Sequence, residues 1–337
     1  MNNGTSTAAV KFSPSSIDWA RVALGIVILG LIYYAYFVQA VEVHGDVRLS
    51  CYRWLVNHWS TISNYSHGPL IPLIAIGLVW WKWADVSKAN IEPFPGGVAV
   101  LVVAMTIYYL GVKAVQPRAV VFSFVLVLYG LTLTLGGRQL FRQLFFPITF
   151  LLLMIPLNFL DEVIGFPLRM FVASAATSVL NLIGIDAMQR GSAIIAVQRE
   201  MGVVTPVFSF DVADPCSGIR SLMALTTVTA AYGYVTQHAQ WKRWVLFLSA
   251  MPLAVLGNMA RVISIAVVAK VYGQELATKT YHEYSGYIVF AVALSTMVII
   301  GILLNFPYRR RFEDWLKPPE DRGPHDDGLW PLDGGAA

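Results

Sequence analysis

Residues 285–306 read SGYIVFAVALSTMVIIGILLNF, and the cluster Arg309, Arg310 and Arg311 follows shortly after. The run contains no charged residue, and at 1.5 Å per residue a helix of about 22 residues extends roughly 33 Å. That length crosses a hydrocarbon core of about 30 Å. Because the cytoplasmic ends of spans are enriched in Lys and Arg, we predict a transmembrane helix here whose C-terminal end faces the cytoplasm.

The composition of the whole chain extends this prediction. Of its 337 residues, 56% are hydrophobic and only 13% are charged, whereas soluble domains contain about a quarter charged residues. The sequence therefore predicts an all-α polytopic membrane protein. The net charge of +4 comes from Lys and Arg residues in short gaps between apolar runs, so we interpret them as topology signals and expect no nucleic-acid partner.

Eight apolar runs are expected to span the membrane. They are residues 19–41, 69–83, 97–115, 119–135, 144–160, 216–234, 244–271 and 285–306. The basic gaps between them fall on one side, which predicts a multi-pass protein of the cytoplasmic (inner) membrane with both termini in the cytoplasm. Residues 1–18 and 307–337 are then cytoplasmic tails, the second partly disordered, around a membrane domain of residues 19–306.

Three segments between these runs are predicted not to cross the membrane. Residues 42–67, rich in Trp and Tyr, are expected to form an interfacial loop. Residues 161–184 contain Arg169 and several small residues, which favours an interfacial or re-entrant helix. Residues 192–198 and 203–210 alternate polar and apolar side chains, which predicts a β-hairpin. Because the edges of a hairpin cannot lie in lipid, we expect it in water at the outer surface.

The sixth run is introduced by DVADPCSGIRSL, residues 211–222. Asp214 before Pro215 is typical of an N-cap followed by the first helical residue, so Cys216 is predicted to lie in the first turn. The positive end of the helix dipole favours an anion there, which biases the thiol toward the nucleophilic thiolate. Arg220 lies four residues further along the same helix face and acts in the same direction.

Further candidates lie near the outer ends of the last two runs. Arg261 is about 17 residues into the seventh run, roughly 25 Å from its cytoplasmic end, and a guanidinium in a membrane helix is costly unless it is paired or faces a polar cavity. Asn258 precedes it on the same face of the helix. His282 comes just before the last run, at a similar depth. Taken singly, each has a structural explanation, such as an ion pair or an interfacial hydrogen bond.

Together these side chains provide the chemical groups of an acyl-transfer site, which we expect on the outer side of the membrane. Cys216 would attack a peptide carbonyl, and His282 would protonate the leaving amine and then activate the second nucleophile. Arg261 would stabilise the developing oxyanion. The backbone amides of Ser217 and Gly218 are candidates for the same oxyanion.

Four short motifs, in this order on successive segments, resemble those of the exosortase and archaeosortase family. They are YSHG at 65–68, CSGIRSL at 216–222, NMAR at 258–261, and His282. The resemblance covers about residues 19–306. It implies an integral-membrane cysteine transpeptidase or protease whose substrates are exported proteins with a C-terminal sorting signal, made of a Pro-Glu-Pro-type motif, a transmembrane helix and a basic end. It also implies that Cys216, Arg261 and His282 are catalytic.

Several alternatives stay open on the sequence alone. Helical spacing favours Arg220 as the neighbour of the cysteine, whereas the resemblance selects Arg261 for the oxyanion. His67 is either a polar contact for the substrate or part of the loop structure. With water as the acceptor the protein is a plain protease, and without catalysis it is a transporter or scaffold in which Arg261 and His282 line a polar path.

The sequence predicts no metal site and no cofactor. The segment HEYSG that starts at His282 lacks the second histidine of a zinc-binding HExxH helix. The expected partners are therefore the exported substrate proteins and membrane lipid.

Overall fold

The computed structural model describes residues 19–44, 47–59, 65–157, 159–200, 203–211 and 219–306. The two predicted tails, 1–18 and 307–337, lie outside this part of the chain. The segment 212–218 lies outside it as well, with four predicted site residues, Asp214, Cys216, Ser217 and Gly218.

Helices dominate the first part of the described chain. They are α1 (Trp19–Tyr33), α2 (Cys51–His58), α3 (Leu70–Trp81), α4 (Trp83–Ser87), α5 (Gly96–Lys113), α6 (Pro117–Leu131) and α7 (Gly137–Phe150). Tighter or wider turns continue three of them: a π turn extends α1 to Val38, another extends α6 to Gly136, and a 3₁₀ turn extends α7 to Met154.

The segment expected to be an interfacial loop contains regular structure. Its strands β1 (Ala40–His44) and β2 (Val47–Ser50) pair antiparallel. Helix α2 follows at once, because the Ser50 hydroxyl accepts a hydrogen bond from the Arg53 amide at 3.3 Å and so caps the first turn. The prediction of a loop here was wrong, and the serine before the helix was the signal that would have corrected it.

Helices α5, α6 and α7 run alternately up and down. Gly111 faces Val120 at one end of the α5–α6 pair and Gly97 faces Gly130 at the other, so these two helices are antiparallel. The chain reverses again at Gly137, where φ is +80°, a backbone conformation that favours glycine.

The packing of α6 on α7 follows from that reversal. Tyr129 and Phe145, equally far from Gly137 in sequence, stack with ring centroids 5.6 Å apart. The helical stretch Pro117–Met154 therefore folds back on itself as two arms.

The second part of the described chain combines helices with one small sheet. Its elements are a π turn (Asp161–Gly165), α8 (Phe166–Leu182), β3 (Ala187–Arg190), β4 (Ala193–Glu200), β5 (Val203–Asp211), α9 (Ile219–Thr236), α10 (Gln240–Tyr272), α11 (Gln274–Leu276), a second π turn (Ala277–Tyr281) and α12 (His282–Asn305).

The sheet contains the predicted hairpin and one strand more. Strands β4 and β5 pair antiparallel as expected, and β3 adds to the free edge of β4. Ile194 and Ala196, two residues apart on β4, are both buried, as is Phe208 on β5, which is the alternation of a sheet with one covered face. That face packs on α8 and α10.

The long helix α10 connects two apolar cores. Toward its start, Ala250 and Ala254 pack with α9 and α12. Toward its end, Val262 and Ala266 pack with α8 and the sheet. At 33 residues and 1.5 Å per residue the helix is roughly 50 Å long, well beyond what a bilayer core requires. Its last turns therefore belong to the sheet-covered core.

Five helical stretches in the described chain are long and apolar enough to cross a membrane. They are Gly96–Lys113, Pro117–Met154, Glu162–Leu182, Gln240–Tyr272 and Gln274–Asn305. They make this a multi-pass membrane protein. The predicted number of eight spans stays a prediction. Helices α1 and α3 contribute only shorter apolar stretches, and α9, which contains most of the sixth predicted span, is not among the five.

Helix α8 falls in the segment for which an interfacial helix was expected. Its length and composition would allow a crossing, but it lies along the sheet. Asn181 exchanges two hydrogen bonds with Ala187 on β3, and Gln189 on the same strand donates to the Met170 carbonyl. Because a sheet edge cannot face lipid, this packing supports the interfacial position, which remains a prediction.

We predict that Gly97→Ala destabilises the protein. A Cβ there would lie 2.5 Å from the Thr134 amide nitrogen and 2.9 Å from the Gly130 carbonyl oxygen, and backbone atoms of a packed helix pair cannot give way. The expected cost is about 1–3 kcal/mol, seen as a lower midpoint of thermal unfolding in detergent. Gly77→Ala is the matched control, because nothing lies within 4 Å of its Cβ position, and equal midpoints for both variants would contradict the prediction.

Candidate active site

Arg261 lies on α10 where the two cores meet. It is half-buried, and the next residue, Val262, is fully buried in the core under the sheet. A guanidinium in such an apolar helix needs hydrogen-bond partners to offset its lost hydration. The partners come from the start of α12.

The His282 carbonyl and the Ser285 hydroxyl, both on α12, hydrogen-bond the guanidinium. Arg261 Nη2 donates to the His282 carbonyl oxygen at 2.7 Å, and Nε donates to Ser285 Oγ at 3.2 Å. The Ser285 hydroxyl in turn donates to the same His282 carbonyl at 2.9 Å. The structure thus brings together Arg261 and His282, as the sequence predicted.

The imidazole of His282 also contacts the guanidinium. Its Nε2 lies 3.4 Å from Arg261 Nη2. Guanidinium nitrogens only donate hydrogen bonds, so this contact requires a lone pair on Nε2. Where Nε2 accepts this hydrogen bond, the imidazole is neutral and carries its proton on Nδ1.

The turn before α12 determines where His282 points. The π turn Ala277–Tyr281 runs directly into α12, and such turns are often found at functional sites. Ala277 is fully buried in the core that α10 shares with the sheet, and Gln274 donates to the Ser209 carbonyl of β5 at 2.9 Å. The sheet therefore fixes the segment that presents His282 to Arg261.

Helix α9 completes the surroundings of the pair. Ser221, in its first turn, lines a small cavity of about 10 Å³ together with Asn258, Arg261 and Gly286, about the space for one water molecule. Asn258 is buried and lies one turn before Arg261, as expected. Arg220, the second described residue of α9, is half-buried beside Ser221.

The predicted nucleophile is not among the described residues. Cys216 lies five positions before Ser221 in the sequence, and Asp214, Ser217 and Gly218 share its segment. Its proximity to Arg261 and His282 therefore stays a prediction. The placement of Ser221 beside Arg261 is the described feature that supports it.

His67 belongs to a different group of side chains. Its ring stacks on Tyr65 at 5.6 Å, and the Tyr65 hydroxyl accepts a hydrogen bond from the Leu157 amide at 2.9 Å. Nearby, Trp59 donates to the Met154 carbonyl, and its indole fills the space where Gly68 lacks a Cβ. These contacts support the loop-structure interpretation of His67, and a polar contact with the substrate stays a prediction.

Sequence reasoning missed Ser285 and Gly286. The serine is buried although it lies on an otherwise apolar helix, and it follows His282 by three residues, so both lie on one helix face. A buried hydroxyl one turn from a candidate catalytic group was the available signal.

We predict that His67 contributes to acid sensitivity of the fold. Burial lowers its pKa below the usual value of 6.5. The unfolded chain therefore binds a proton in a pH range where the folded protein does not, and the free energy of unfolding falls as the pH falls through that range. His67→Gln removes this contribution.

The measurement is the midpoint of thermal unfolding between about pH 7.5 and about pH 5.5. His67→Gln is expected to lose less stability on acidification than the wild type. His238→Gln, at an exposed position, is the control and is expected to follow the wild type. The same acid dependence in wild type and His67→Gln would contradict the prediction.

Comparison with known proteins identifies the family of this chain. A family model described as transmembrane exosortase matches residues 59–299, a region that includes both Arg261 and His282. No curated protein and no solved structure matches the chain. The matched region covers well over half of the chain and contains the helices that meet at the candidate site, so this chain belongs to the transmembrane exosortase family.

Proposed function

We propose that the chain is a membrane cysteine transpeptidase or protease that cleaves the C-terminal sorting signal of exported proteins. The sorting signal would consist of a Pro-Glu-Pro-type motif, a transmembrane helix and a basic end. Family membership supports the general activity. The observation that carries the proposal is the hydrogen-bonded pair of Arg261 and His282, with the first turn of α9 beside it.

The proposed reaction has two steps. The Cys216 thiol gives its proton to His282, and the resulting thiolate attacks the scissile carbonyl carbon. A C–S bond forms, and the C–N bond breaks as His282 passes that proton to the leaving amine. In the second step an amine or water attacks the thioester and gives its proton back to His282. The acyl part leaves on the new nucleophile and the thiolate is restored.

Arg261 is proposed to stabilise the oxyanion of both steps. Its Nε and Nη2 bind α12, and among the described residues no hydrogen bond involves Nη1. A preorganised cationic donor in a site with little water is effective at a developing oxyanion. Arg220 lies at the start of α9 and is the competing candidate for this role.

The proposed active site is on the outer side of the membrane. At the opposite end of the helices, Lys82 and Arg243 lie over the Tyr234 ring at 5.4 and 4.9 Å, and Lys242 donates to Asn305. Basic residues from two parts of the chain, Lys82 and the pair Lys242 and Arg243, thus collect at one end of the bundle. The positive-inside rule makes that end cytoplasmic.

We predict that Cys216→Ala, Arg261→Ala and His282→Ala each abolish processing, that is, cleavage of the sorting signal from the substrate protein. The test is co-expression with an exported protein carrying a sorting tail, with the product followed by mass spectrometry. Loss of an oxyanion donor alone costs about 10²–10³ in rate, and Arg220→Ala is expected to cost much less than Arg261→Ala. The mass of the product also tells whether an amine or water was the acceptor.

Cys51→Ala is the matched cysteine control. Cys51 is buried, and burial raises the pKa of its thiol to about 12, so it is protonated and a poor nucleophile. Processing is expected to continue in this variant. Survival of processing in all three site variants would overturn the catalytic proposal and leave the scaffold alternative.

We predict that Cys216 is reached from outside. In a Cys51→Ala background it is the one remaining cysteine of two, and a membrane-impermeant maleimide is expected to label it in intact spheroplasts. Ala337→Cys in a chain lacking both native cysteines is the control for the proposed cytoplasmic tail and is expected to react only in inverted vesicles. Labelling of Cys216 from the cytoplasmic side alone would overturn the proposed topology.

A further inference from the structure

We infer that Ser285 and Gly286 position the Arg261 guanidinium, the group proposed to bind the oxyanion. The inference rests on the proposed function and deepens it. It assigns to the first turn of α12 a second task besides presenting His282. Both residues act through the guanidinium and not on the substrate.

Ser285 has the contacts of an anchor. Its side chain is only 2% exposed, and its hydroxyl accepts from Arg261 Nε at 3.2 Å while it donates to the His282 carbonyl at 2.9 Å. That carbonyl also accepts from Arg261 Nη2 at 2.7 Å. The hydroxyl therefore ties the guanidinium to a fixed point of the helix backbone.

The anchoring determines which side of the guanidinium is available. Nε and Nη2 form one edge of the planar group, and that edge is occupied by Ser285 and His282. A planar fork bound along one edge has little freedom to rotate. The remaining N–H groups, chiefly those on Nη1, then point in one direction, which is the requirement for a preorganised oxyanion site.

Gly286 permits this position of the guanidinium. A Cβ at Gly286 would lie 3.1 Å from Arg261 Nη2 and 3.3 Å from Cζ, closer than ordinary packing allows. The atoms it would meet belong to a side chain and not to the backbone. Gly286→Ala would therefore displace the guanidinium by a few tenths of an ångström while the α10–α12 packing persists, so the variant changes the rate more than the stability.

The experiment measures processing of a sorting-tail substrate by purified full-length protein in detergent. Ser285→Ala and Gly286→Ala are each expected to lower kcat by about tenfold or more with little change in KM, because the oxyanion forms during the reaction and is absent from the bound substrate. Ser285→Thr keeps the hydroxyl and is expected to restore kcat to within about threefold of the wild type.

Gly301→Ala is the matched control for crowding on α12. A Cβ there would lie 2.8 Å from the Tyr232 ring, a tighter contact than the one at Gly286 and far from Arg261, and wild-type kcat is expected. A kcat for Gly301→Ala as low as that of Gly286→Ala would overturn the inference, since crowding anywhere on α12 would then explain the loss. Wild-type kcat for both Ser285→Ala and Gly286→Ala would overturn it as well.

A double variant tells whether Ser285 acts through the Arg261 guanidinium or independently of it. If Ser285 acts through the guanidinium, Ser285→Ala adds almost no loss in an Arg261→Lys background, because the fork that it anchors is gone. A full additional loss there contradicts the inference. Cys216→Ala in the same assay tests the proposed function independently, because processing by that variant would remove the cysteine mechanism whatever the Ser285 result.

Discussion

The need to hydrogen-bond one guanidinium inside an apolar helix bundle governs the arrangement of the second half of this protein. Arg261 has no acidic partner among the described residues; its contacts are a backbone carbonyl, a hydroxyl and the imidazole of α12. Those groups reach it only if α12 begins beside the middle of α10. The sheet provides this, because it holds the chain just before α12.

Much of this arrangement was predictable because its cause is local and strong. An arginine within an apolar helix is costly enough to be recognisable from sequence. The structure places Arg261 Nη2 2.7 Å from the His282 carbonyl oxygen, whereas the catalytic roles of both residues stay predictions. The hairpin was predictable because β-alternation is a short-range pattern, and β4 and β5 confirm it. The position of Cys216 stays a prediction, as do the number of spans and the topology.

What the sequence did not reveal has a common physical origin. Apolar residues are required equally for burial in lipid and for burial in protein, so composition does not distinguish the two. The end of α10 reads as a continuation of its span, yet Ile265 and Ala269 are covered by α8 and the sheet. Ser285 was missed for a related reason, since a hydroxyl on an apolar helix has many uses until its partner is known.

The length of α10 has a consequence for substrate choice under the proposed function. Arg261 lies about 21 residues after the start of the helix, which at 1.5 Å per residue is roughly 32 Å, close to the thickness of a bilayer core. A substrate helix held at its basic end by the cytoplasmic surface would then present its other end at the depth of Arg261. The enzyme would thereby select its substrates by the length of their membrane helix, without contacting each residue of it.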